Sequence, residues 1–160
     1  MREAIGGTWL FGLVITFIVF FASFLAISVN YSKAFNVKNN VVDIISKYEG
    51  NNCNARKNIG EYLNDVGYLV TGDCKGVGSV DGQTYQAYDL NGNQVNSGKG
   101  YYCIAKNTTG SSTDIDKSYY RVIVFFRVDL PVIGNLTTFK IKGETESIFY
   151  ATDSDRQPCS

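Results

Sequence analysis

The chain reads as an α+β protein, in which a long N-terminal α-helix, transmembrane in one half and amphipathic in the other, packs on an antiparallel β-sheet head that carries disulfides. Three observations lead there. Residues 9–29 are almost wholly apolar, and the apolar residues after them fall at helical spacing with no Gly or Pro at the junction. The later sequence shows strand-like alternation, best seen in YYRVIVFFRVDL. All four cysteines lie in the polar part, with no CxxC spacing and no histidine in the chain. A length of 160 residues suits one compact domain plus an appendage.

The first segment sets the others. After a short tail at residues 1–7, no charged side chain occurs between Glu3 and Lys33. A helix of about 21 residues, rising about 1.5 Å per residue, covers a hydrocarbon core about 30 Å thick. A buried core helix would show a polar face, whereas only Thr16, Ser23 and Ser28 interrupt this one. A signal peptide has a shorter apolar run and a small-residue cleavage site. The expectation is a retained transmembrane helix over residues 8–30. Trp9, Leu13, Val14, Phe17, Phe20, Phe21, Phe24 and Leu25 are the side chains it gives to a membrane or to neighbouring copies.

Charge and cysteines disagree about orientation. Lys33, Lys38 and Lys47 outnumber Arg2 and the terminal amine, which by the positive-inside rule favours a cytoplasmic C-terminal part. Four cysteines without a histidine resemble neither a zinc site nor a redox pair; two disulfides are simpler and require an oxidising exterior. A seven-residue tail gives the charge rule little to act on, so the expectation is N-inside, C-outside.

Past Val29 the pattern becomes periodic. Ala34, Val37, Val41, Ile44 and Tyr48 recur at intervals of three and four and form an amphipathic seam, widened by Phe35, Val42 and Ile45. Asn36, Lys38, Asn39, Asn40, Asp43 and Lys47 take the remaining surface. Gly50 with Asn51 and Asn52 supplies the stop. Residues 31–50 thus continue the apolar helix, giving a rod on the order of 60 Å long over residues 8–49.

Residues 51–160 form the β-rich head. A short second helix is expected over residues 54–66, capped by Asn54, with Ile59, Tyr62, Leu63 and Val66 as its apolar face and Gly67 as its end. YLV reads as strand-like. TYQAYDL and the segment after NGNQV suggest a hairpin turning at Asn91-Gly92, and YYCIAK is a further strand. In YYRVIVFFRVDL, Tyr120, Val122, Val124, Phe126 and Val128 share one face, to be covered by the amphipathic helix. Arg121, Ile123, Phe125 and Arg127 share the other. TTFKIKGET and SIFYAT are its expected partners, with Pro131 to Gly134 in the connection. For the cysteines, Cys53–Cys74 would clamp the second helix and contribute about 3 kcal/mol in the chain-entropy account, leaving Cys103–Cys159. Three connectivities exist, and the sequence does not choose among them.

Several functions lose support. Lys and Arg are scattered and the formal net charge is zero, so no basic footprint for nucleic acid exists. The absence of histidine removes the commonest general base and metal ligand. DLNGN at residues 89–93 faintly resembles a calcium loop but lacks the ligand series and the distal acid, so a hairpin turn is favoured. Asn107 and Asn135 sit in glycosylation-type triplets of a kind common by chance. GVGSVDGQ, NSGKG and NTTGSSTDID have the composition of exposed loops. No catalytic residue, cofactor or metal site is expected.

An apolar half-helix, an unbroken amphipathic half-helix and a disulfide-bearing β-rich head together resemble type IV pilins. SVNYSKAF after the apolar segment and RVDLPVIGNLTTFKIKGET are similar to Tad-type (TadE-like) pilins of Gram-positive bacteria. The resemblance implies a structural subunit of a surface filament that sits in the membrane before assembly and outside the cell afterward. Its implied partners are further copies or other pilins, an assembly ATPase and a membrane platform protein. One departure stands out. Pilin precursors carry a Gly cleavage site and an acid at the fifth mature position, whereas Gly12 is the fifth residue after Gly7. Were residue 1 a processed terminus, Glu3 could pair with a neighbour's terminal amine. The rival expectation is a single-pass, membrane-tethered binding module that never polymerises.

Overall fold

The computed structural model describes residues 2–75, 84–109, 117–130, 134–149 and 159, the side chains of 2–6, 109, 128–130 and 134–137 excepted. The fold is α+β: an apolar N-terminal helix lies against a five-stranded antiparallel sheet, with two disulfides in the head. This is a pilin-like architecture. Expected loops at 76–83 and 110–116, the connection at 131–133, residues 150–152, and the side chains of Glu3, Val128 and Asn135 lie outside the described residues.

Helix α1 runs without a break from Arg2–Lys47, 46 residues or about 69 Å. It ends with the Glu49 amide donating to Ser46 and the Gly50 amide to Ile45, the crossed pair of a Schellman motif. Glu49 takes the left-handed position, at φ 54°, one residue ahead of the expected glycine; Gly50 follows at φ 144°. Helix α2 spans Cys53–Asp65. Its cap is Asn52, not Asn54, because the Asn52 Oδ1 accepts from the Ala55 amide at 2.9 Å. Gly67, at φ 63°, closes α2 in the same Schellman pattern, with Tyr68 donating to Leu63.

The strands are β1 (Gly72–Asp73), β2 (Gln86–Tyr88), β3 (Lys99–Gly100), β4 (Tyr102–Thr109), β5 (Lys117–Leu130), β6 (Gly134–Glu144) and β7 (Ile148–Phe149). The main sheet has the order β2-β4-β5-β6, with β7 also on β5, and β1 pairs with β3 in a two-stranded sheet. All pairs are antiparallel. YLV is not a strand; β1 begins two residues later. Asn91-Gly92 does form a turn, in which the Asp89 carboxylate accepts from the Asn91 and Asn93 amides at 2.9 and 2.7 Å. The turn joins only the bridge Tyr88–Gln94, because β2 finds its ladder on β4 instead.

β5 separates two apolar layers. Tyr120, Val122, Val124 and Phe126 meet α1 and α2, together with Tyr88, Tyr102, Ile104 and Ile141. On the reverse face Ile123 and Phe125 are fully buried among Cys74, Tyr85, Ala87, Cys103 and Ala105. The central strand is therefore covered on both sides, which accounts for its nearly continuous apolar run.

Candidate functional site

The helix changes character along its length. From Gly7 to Leu25 its side chains are exposed apart from the partly covered Ser23: Trp9 is 74 % exposed, Phe20 70 % and Phe24 60 %. Leu13, Val14, Phe17, Phe21 and Leu25 are likewise bare. A helix apolar all round must be covered by lipid or protein, since water is the one solvent that penalises it. This segment is long and apolar enough to cross a membrane. Its few hydroxyls suit that setting. Thr16 donates to the Gly12 carbonyl, Ser23 to Val19 and Ser28 to Phe24, at 2.9 to 3.0 Å. Each polar group is satisfied inside its own helix, as hydrocarbon demands.

Docking begins at Ala26 and Asn30, both partly buried, and continues through Ala34, Val37, Val41 and Ile45, all buried. Of the seam read from sequence, Ile44 is only half-buried, and Tyr48 lies in the turn beyond the helix. Ile45 takes the core position instead. The reason is the period. Spacings of three and four repeated strictly give 3.5 residues per turn and suit a supercoil. Ala26 to Val37, Asn30 to Val41 and Ala34 to Ile45 are each eleven residues apart, about 3.67 per turn, closer to the 3.6 of an ordinary α-helix than to the 3.5 of a heptad seam. Tyr31 meets Phe126 edge-on at 6.1 Å, and Asn40 donates to the Tyr62 hydroxyl at 3.0 Å.

Beneath the helices lies a polar knot that the sequence reading missed. Arg56 is buried, with its guanidinium 5.5 Å from the Tyr88 ring centroid and Nη1 donating to the Asn51 carbonyl at 3.2 Å. Asn51 Nδ2 donates to the Tyr88 hydroxyl at 2.7 Å, and that hydroxyl donates to Gln86 Oε1. Helical spacing held the signal: Arg56 stands three, four and seven residues before Ile59, Gly60 and Leu63, on the buried face. Tyr62 and Val66, assigned to that face, are only partly covered or exposed.

The cysteines pair differently from the expected connectivity. The bridges are Cys53–Cys159 and Cys74–Cys103, with Cα atoms 5.5 and 5.8 Å apart. Cys103 faces the reverse layer of β4, where the chain after α2 lays Cys74 beside it; Cys53, at the start of α2, meets Cys159 next to the Asn91–Asn93 turn. The first bridge anchors α2, and the second fixes the outer cover of the sheet. Two disulfides point to an extracytoplasmic head, and the apolar helix to a membrane anchor or signal.

Other singled-out residues have structural roles. Asn107 is buried, and its Nδ2 donates to the Tyr119 hydroxyl at 3.0 Å. Arg121 and Glu144 form a cross-strand ion pair at 2.9 Å. No family model, no curated protein and no solved structure matches this chain.

Proposed function

We propose that the chain is a structural subunit of a bacterial surface filament of the type IV or Tad-like kind, acting by assembly rather than by chemistry. The observation that carries this reading is one helix whose docked half holds a folded head while its other half stands bare on every side. A simple tether needs enough apolar length to span a bilayer, but not a rigid continuation clamped to its cargo. In the proposal, residues 9–29 lie in the membrane with the N-terminus inside, then exchange lipid for the same segments of neighbouring copies. Burying each Leu or Phe there contributes on the order of 1.5–3 kcal/mol relative to water. In lipid that drive is absent, so extraction requires external work, supplied in this reading by an assembly ATPase and a platform protein.

The test is mechanical shearing of cells, followed by electron microscopy and identification of the released material. Filaments containing this chain are expected, and Val14→Asp or Phe17→Asp should abolish them. Complete retention in the detergent-soluble membrane fraction would instead establish the non-polymerising tether.

A further inference from the structure

A second feature lies where the helix leaves its apolar stretch. Asn30 and Lys33 of α1, Phe126 and Arg127 of β5, and the segment from Gly67 to Val70 line an open groove of about 220 Å³. Its charge is one-sided: Lys33 and Arg127 line it, and among the described residues no carboxylate does. Tyr68 also lines it, 7 % exposed, with its hydroxyl sealed from solvent. The Lys33 ammonium lies 5.9 Å from the centroid of the same ring. Two cations lining one groove with no described carboxylate between them favour an anion there.

Depth identifies which anion. If hydrocarbon ends at Val29, then Asn30 to Lys33 stand about 1.5–6 Å beyond it along the helix. The headgroup layer of one leaflet is about 5–8 Å thick, the difference between a core of about 30 Å and a bilayer of about 40–45 Å. The pocket therefore opens at phosphate level. Leu69, on its rim, is 53 % exposed, and so is Tyr31 on the helix beside it; both suit the boundary between headgroups and acyl chains.

We propose that this pocket holds the phosphate of one anionic phospholipid, paired with Lys33 and Arg127. The inference rests on the membrane placement of α1 and not on filament assembly. Occupancy would fix the rotation of the rod and the height of the head over the leaflet.

The test uses the full chain reconstituted into vesicles of equal parts phosphatidylglycerol and phosphatidylcholine. Flotation establishes insertion, and native mass spectrometry after release in mild detergent counts retained lipid. One phosphatidylglycerol per chain is expected, favoured about tenfold over phosphatidylcholine. Lys33→Gln with Arg127→Gln should lower that retention at least fivefold. Lys142→Gln should retain lipid like the parent. Equal retention of both lipids, or undiminished retention by the double variant, would overturn the proposal. Displacement of the lipid by millimolar inorganic phosphate would assign the site to a free anion and overturn it as well. A chain that fails to float would refute the membrane placement itself, and the lipid site with it.

Discussion

Tyr31, two residues past the apolar stretch, meets Phe126 of the central strand edge to face, with ring centroids 6.1 Å apart. Phe126 also stacks on Phe139 of β6 at 5.3 Å, so one aromatic cluster fastens the rod to the sheet where the rod becomes bare. Phe126 is nearly buried, whereas Tyr31 is half exposed. Phe126→Ala should therefore cost the head about 3 kcal/mol, and Tyr31→Ala about 1 kcal/mol. Thermal unfolding followed by near-ultraviolet circular dichroism in mild detergent measures both.

Gly60 is the point where α2 touches the Asn91-Gly92 turn backbone to backbone. A β-carbon there would overlap the Leu90 carbonyl, and the turn is braced by Asp89. Helix propensity alone favours alanine over glycine by about 1 kcal/mol. The clash should reverse that sign, and Gly60→Ala is expected to destabilise the head by about 1–3 kcal/mol in the same melts.

Stability should fall in alkali. Burial, with a smaller contribution from Tyr88, pushes the Tyr102 phenol well above its ordinary value near 10. Burial raises Tyr68 in the same direction. Above pH 10 the unfolded chain releases these protons while the folded chain keeps them, so the unfolded state gains. Below about pH 9 the two states hold equal numbers of phenolic protons, and these groups produce no slope. Denaturation midpoints measured from pH 8 to 11 should be flat and then decline, with a shallower decline in Tyr102→Phe.

The two bridges close loops of very different length, with sequence separations of 106 and 29. On the chain-entropy account these correspond to about 4.7 and about 3.6 kcal/mol. Non-reducing peptide mapping should recover Cys53 joined to Cys159 and Cys74 joined to Cys103. A peptide joining Cys53 to Cys74 would contradict the arrangement of the two layers around β5.

The contrast between what was and was not legible in the sequence follows from range. The change from uniform apolarity to periodic apolarity after Val29, the alternation in β5, and the stops at Gly67 and Asn91-Gly92 are local patterns that neighbouring residues dictate. The cysteine pairing is not local. It depends on the segment around Cys74 folding over the back of β4, which no spacing encodes. The shift of the seam from Ile44 to Ile45 depends on what the helix packs against, here the face of β5 and β6. Glu49 in the left-handed position defeats a rule that looks for glycine. Lys33 and Arg127 are distant in sequence and line one groove only because β5 returns along the helix toward its apolar half.

The central claim is that one rigid rod serves lipid and filament in turn. A helical reconstruction of sheared material by electron cryomicroscopy tests it directly. The account predicts continuous helical density through Asn30, with Trp9, Val14, Phe17 and Phe24 packed against neighbouring copies at the filament axis. Filaments in which residues 9–29 face water, or in which the helix is broken at the junction with the head, would contradict it.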